Sequence, residues 1–176
     1  MSGHNKWSKI KHKKEVTDAK RSKVFSKLVK LIQTESKLAK GDVSSPGLKN
    51  ALEKAKKENV PKDNIDRAVK KGASGEAGNN ESVTYEAYGP GGVAIIIDAL
   101  TDNRNRTGAE IKHILTEAGT SLSAPGSASW AFEKRVGLWE PTTFIDISEE
   151  DGVKLENLID SIEDQEDVQE IYVNAK

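Results

Sequence analysis

The chain contains no cysteine among its 176 residues. That excludes disulfides, thiolate catalysis and cysteine-based zinc sites, and it agrees with a reducing compartment. Aromatic residues make up only 5% of the chain, so each one is worth locating. No run approaches the roughly 20 apolar residues that a membrane-spanning helix requires. The N-terminus has no apolar signal core and opens in lysines, so the mature chain is expected to start near Met1. His4, His12 and His113 are the only histidines, and none has a partner at metal-ligand spacing. Neither a G-x-S-x-G nucleophile turn nor a Walker sequence is present. The expectation is therefore no enzyme, no metal, no cofactor, no small-molecule substrate and no membrane contact.

What is abundant is charge, at 31% of residues. The net charge of −1 conceals a division. Residues 1–72 hold 20 Lys and Arg against 8 Asp and Glu, a net of +12, and residues 73–176 hold 7 against 20, a net of −13. A basic half of this kind is suited to a polyanion, and nucleic acid is the expected partner. The plainer alternative is that the two halves attract one another.

Residues 1–14 form a basic arm, with five lysines and no acid. Lys6, Lys9, Lys11, Lys13 and Lys14, with His12, are candidates for phosphate contact, and Trp7 for stacking on an exposed base. Trp7 and Ile10 can equally tuck onto the domain that follows. Residues 15–72 read as a basic helical domain. Phe25, Leu28, Val29 and Ile32 recur at helical spacing, and Lys20, Arg21, Lys23, Lys27 and Lys30 lie opposite them. Of these, Lys20, Arg21 and Lys23 are taken as nucleic-acid contacts. A second helix has Ser44 or Ser45 as cap, Pro46 in its first turn and Leu48, Ala51, Leu52 and Ala55 inward. A third opens at Pro61, with Ile65, Ala68 and Val69 inward.

Residues 73–82, rich in Gly, Ser and Asn, read as a linker. Residues 83–176 read as an acidic α/β domain. Val93 to Leu100 is apolar on both faces apart from Asp98, the pattern of a central strand. Gly89 to Gly92 turns the preceding strand, Val83 to Tyr88, into it. This turn precedes a strand, so it lacks the helix N-terminus that phosphate loops use. A helix from Thr107 to Ala118 follows. Strands are expected at Ala128–Glu133 and Thr143–Ile147, then a helix capped by Ser148, then a strand at Val168–Val173. The order from Gly92 is β-α-β-β-α-β. The expected fold class is α+β: an N-terminal three-helix domain followed by a ferredoxin-like βαββαβ domain.

Arg104 and Arg106 sit at the C-terminal end of the central strand, where ligands of open α/β sheets gather. They suit bidentate phosphate contact, or they pair with Asp98, Asp102 or Glu110 to fix the loop. Trp130 is a core residue or, as on RNA-recognition sheets, a base-stacking one.

The residues Met-Ser-Gly-His-Asn-Lys-Trp-Ser-Lys-Ile-Lys-His-Lys-Lys at the start, with Asp18-Ala-Lys-Arg21 and Phe25, resemble the opening of YebC/PmpR-type proteins. Tyr88-Gly-Pro-Gly-Gly-Val-Ala-Ile-Ile-Ile, Leu100-Thr-Asp-Asn-Arg-Asn-Arg-Thr, Gly126-Ser-Ala-Ser-Trp-Ala-Phe-Glu and Asp167-Val-Gln-Glu-Ile-Tyr-Val-Asn are similar to its later motifs, in the same order. The resemblance implies a non-enzymatic cytoplasmic protein that controls gene expression. It carries two descriptions: a ribosome-associated translation factor that assists elongation through difficult, proline-rich sequences, with ribosomal RNA as partner, and a DNA-binding transcriptional regulator. It also implies a departure. Family members carry a further α/β domain between the Ser-Trp-x-Phe segment and the final strand-helix-strand, and here Phe132 reaches Trp139-Glu-Pro141 within a few residues.

Overall fold

The computed structural model describes residues 17–176, and these form two compact units, the chain passing from one to the other between Glu81 and Ser82. The first holds α1 (Asp18–Leu38), α2 (Pro46–Lys57) and α3 (Lys62–Ala73). Thr17 caps α1, its hydroxyl accepting from Lys20 N at 3.3 Å. The apolar stripe of α1 buries Leu28 and Ile32 against Leu48, Ala51 and Ala55 of α2 and Ile65 and Ala68 of α3. Two further features bring α1 and α3 close. Ser36 Oγ donates to Val69 O at 2.7 Å, and a Cβ added at Gly72 would lie 2.4 Å from Gln33 O. Only glycine fits that crossing. The stretch expected as a linker lies mostly with this unit. Ala73 ends α3, Ala77 is buried, and Lys37 Nζ donates to Ala77 O at 3.3 Å and Asn79 Oδ1 at 2.6 Å.

The second unit holds β1 (Glu81–Tyr88, whose first residue is the last of the helical unit), β2 (Ala94–Thr101), α4 (Arg104–Glu117), β3 (Leu122–Ser123), β4 (Phe132–Arg135), β5 (Leu138–Pro141), α5 (Glu149–Glu163) and β6 (Val168–Val173). Four strands form one sheet in the order β3-β1-β2-β6. β2 is an inner strand, as its two apolar faces require. Ile95 and Ile97 pack with Ile111 and Leu115 of α4 and Leu155, Leu158 and Ile162 of α5. Ile96 and Ala94 face the other way, onto Ala128, Ala131 and Phe132. Each of the three isoleucines is wholly buried and stabilises the unit by about 1.5–3 kcal/mol.

The chain is thus α+β, three helices followed by a ferredoxin-like sheet, and its strands differ from expectation in several places. β2, α4 and β3 make a split βαβ around β1, so the inner position beside β2 is taken by the strand that precedes it. Ala128 to Glu133, expected as one strand, is a tight turn at Ser129–Ala131 running into β4. β4 pairs only with β5, in a hairpin with Arg135 opposite Leu138. Thr143 to Ile147 is not a strand either. It makes a single parallel bridge, Ile145 to Ala175, along the sheet edge. Ser148 does cap α5, accepting from Asp151 N at 3.1 Å.

Candidate nucleic-acid interface

The candidate residues fall in three places. Lys6, Trp7, Lys9, Lys11, His12, Lys13 and Lys14 lie outside the described residues. Lys20, Arg21 and Lys23 share the first two turns of α1, all solvent-exposed. Arg21 lies 3.9 Å from Asp18 across an exposed pair, a contact of little energy. The cationic surface continues on the other helices of this unit. Lys49, Lys56 and Lys57 of α2, and Lys62, Arg67, Lys70 and Lys71 of α3, are exposed as well.

Arg104 and Arg106 open α4 in the second unit. Asn103 caps this helix, its side chain accepting from Arg106 N at 3.1 Å. The two arginines have separate roles. Arg104 is exposed, and its backbone carbonyl accepts from Tyr85 OH at 3.1 Å. Arg106 Nη2 donates to Asp102 Oδ1 and Asp167 Oδ2, each at 2.9 Å. Both hydrogen bonds, Asp167's first, raise the guanidinium's pKa above its ordinary value. Of the partners considered from sequence, Asp102 is correct, and the buried Asp167 went unseen.

Asp167 is the centre of a buried polar cluster, with 1% of its surface exposed. Its carboxylate also accepts from Thr107 Oγ1 at 2.6 Å, and Thr107 Oγ1 lies 2.8 Å from Thr101 Oγ1. Gln165 Oε1 accepts from Asp167 N at 2.7 Å, while Gln165 Nε2 donates to Glu110 Oε2 at 2.8 Å. A buried carboxylate must find such partners or lose its charge. The cluster joins the end of β2, the start of α4 and the start of β6.

A second carboxylate organises the opposite end of the sheet. Glu86, on β1, is 8% exposed and accepts from the backbone N–H groups of Gly126, Ala128 and Ser129 at 2.7, 2.8 and 2.8 Å. Burial acts to raise its pKa, but the three amides outweigh burial and hold the carboxyl below the ordinary glutamate value. Next to it, Tyr88 OH donates to Ser127 O and accepts from Trp130 Nε1, the latter at 2.9 Å. Trp130 is neither core nor on a sheet face. It sits in the Ser129–Ala131 turn with 60% of its surface exposed. The sequence signal for this arrangement was faint: an acid facing inward from a strand, and a Gly/Ser-rich segment some 40 residues later.

The sheet face that carries Tyr88 is acidic farther along. Asp98 stands directly opposite Glu170 across β2 and β6, and Thr84 Oγ1 donates to Asp98 at 2.7 Å. Burial first, then Glu170 and Asp98, push the Tyr172 phenol up. Among the described residues there is no group of His, Asp and Glu placed to hold a metal ion, and no helix long and apolar enough to cross a membrane.

Residues 5–75 match the family described as "TACO1/YebC protein N-terminal domain", and residues 80–138 match "TACO1/YebC second and third domain". A protein of Trichlorobacter lovleyi named "Probable transcriptional regulatory protein" is 44% identical over 174 residues, covering 98% of this chain and 70% of its own length. One of the same name from Desulfatibacillum aliphaticivorans is 53% identical over 137 residues, 77% of this chain and 56% of its own. Among solved structures, a conserved hypothetical protein of Aquifex aeolicus superimposes with a TM-score of 0.83 at 32% identity, covering 97% of this chain and 96% of its own.

Proposed function

Because this chain belongs to the TACO1/YebC family, we propose that it is a non-enzymatic, nucleic-acid-binding regulator of gene expression that grips RNA through its helical unit. Ribosomal RNA is the favoured target, and assistance to translation through difficult, proline-rich sequences the favoured role. The observation that carries the reading is the distribution of charge. Residues 17–81 hold 15 Lys and Arg against 9 acids, most of them exposed on three short helices, whereas residues 82–176 hold 7 against 18. The exposed lysines and arginines of the helical unit supply the phosphate contacts that a polyanion needs.

The second reading is a regulator that binds duplex DNA, and the names of the relatives favour it. It requires a helix that reads base edges with Asn, Gln or Arg. The exposed faces here carry mainly lysine, with Arg21, Asn50, Asn59 and Arg67 on separate elements or loops. That composition suits contact with phosphates rather than sequence.

Affinity for structured RNA, single-stranded RNA and duplex DNA, measured across salt concentrations, tests both readings. RNA binding should exceed duplex binding, and the logarithm of affinity should fall linearly with that of salt. Removing the charges of Lys20, Arg21 and Lys23 should flatten the slope by about 0.7 per lost contact to a single strand. Binding that ignores salt would overturn both readings. In cells, ultraviolet crosslinking should recover ribosomal RNA at one site, and recovery of promoter DNA instead would decide for the second.

A further inference from the structure

We propose that Trp130 is a preset stacking platform for one unpaired nucleobase, a contact separate from the cationic helices. The proposal rests on the nucleic-acid reading above and assigns it a second site.

An exposed tryptophan is ordinarily free to rotate, and its loss of freedom on binding opposes affinity. Trp130 is held in advance. Its one polar atom, Nε1, is bound to Tyr88 OH at 2.9 Å, and that hydroxyl is itself bound to Ser127 O. The turn beneath it is clamped by the buried Glu86 through the amides of Gly126, Ala128 and Ser129. Two inward-facing groups of β1 thus fix an indole whose surface is 60% exposed. Their hydrogen bonds use the indole N–H and the turn's backbone, and they leave the ring available for stacking. Phe144, 50% exposed, lies on the adjoining segment, where the amides of Thr142 and Thr143 donate to Ala131 O at 2.8 and 3.3 Å.

The surroundings decide what stacks there. Ala118 to Phe132 is 15 residues without a charged side chain, in a chain that is 31% charged. The rest of this unit is strongly acidic, and the sheet face beyond Tyr88 carries Asp98 opposite Glu170. The loop carries no charged side chain of its own, and the Glu86 carboxylate beneath it is buried against three amides, so a phosphate-bearing strand can approach here. Ser121 and Ser123 in the same stretch carry hydroxyls suited to a base edge, whereas the hydroxyls of Ser127 and Ser129 are bound to Ala124 O and Glu86. A basic protein segment would instead be drawn to the acidic surface around the loop. A base within a duplex is already stacked, so the occupant is single-stranded.

The test uses the full chain and a uridine-rich single-stranded RNA oligonucleotide, with affinity measured from low to high salt. Trp130→Ala should weaken binding by about tenfold at every salt concentration and leave the salt slope unchanged, because stacking releases no counterions. Trp130→Phe should restore most of the affinity, and Tyr88→Phe, which frees the indole, should fall between. The exposed position of Trp130 predicts an unchanged melting temperature for the alanine variant, which separates a binding loss from misfolding. If the parent chain binds RNA and Trp130→Ala binds it equally well, the platform is disproved and the helical reading survives. If the parent chain binds no nucleic acid, the functional reading fails and takes the platform with it. Loss of a protein partner in Trp130→Ala with RNA affinity intact would also overturn the proposal.

Discussion

Arg106 donates from Nη2 to the buried carboxylate of Asp167 at 2.9 Å, tying the first turn of α4 to the start of β6. Without Asp167, Arg106 keeps only the exposed Asp102. Asp167→Ala also removes the shortest hydrogen bond of Thr107 Oγ1, which keeps Thr101 Oγ1 and Asn103 O as partners. The loss of this buried acceptor should destabilise the second unit by about 1–3 kcal/mol. Urea unfolding checks this, and a loss below about 1 kcal/mol would show that the cluster contributes little.

The two neighbouring arginines should separate by assay. Arg104→Ala changes an exposed side chain and should weaken RNA binding at low salt by several-fold, with stability within about 0.5 kcal/mol of the parent. Arg106→Ala should lower stability first, because it leaves the Asp167 charge buried. Equal thermal losses in both variants would contradict this division.

Glu86 makes acid stability predictable in sign. Its folded-state pKa lies below its ordinary value of 4.5. The stabilisation it confers is then fully present above that value and is lost as pH falls through the folded-state pKa. Glu86→Gln should flatten the fall of melting temperature with pH below about 4.5. It should also lower stability at neutral pH, since a neutral amide accepts three N–H groups less well. An identical acid limb in parent and variant would count against the assignment.

The β4–β5 hairpin turns through Val136 and Gly137 with φ of +48° and +80°. A β-branched residue is strained at such a φ, whereas Asn-Gly favours it. Val136 is 91% exposed, so no packing is lost on replacement. Val136→Asn should stabilise the chain by about 0.5–1 kcal/mol. Calorimetry would expose a wrong assignment as a lowered melting temperature.

The helices were legible because their stripes are long enough to show a period. Leu28 and Ile32 on α1, and Leu155, Leu158 and Ile162 on α5, all face inward as their spacing requires. Val93 to Leu100 announced an inner strand for the same reason. What failed was set by distant partners. The alternation of Ala128, Trp130 and Phe132 looks like a strand, but Glu86 captures three amides there and forces a turn. β3 is two residues long and has no period to read. At the candidate sites, the position of Arg104 and Arg106 after β2 was readable. Their division of labour was not, since Asp167 lies 61 residues beyond Arg106.

The hairpin has one more consequence. Arg135 and Leu138 face each other in register, so the two strands of the hairpin end at neighbouring points. Strand partners stand only about 5 Å apart. Such a junction works as a socket. A folded module spliced between residues 135 and 138 should leave the pairing of β1, β2, β3 and β6 untouched, since β4 and β5 form a separate sheet. The match to the second and third family domains stops at residue 138, on this same joint.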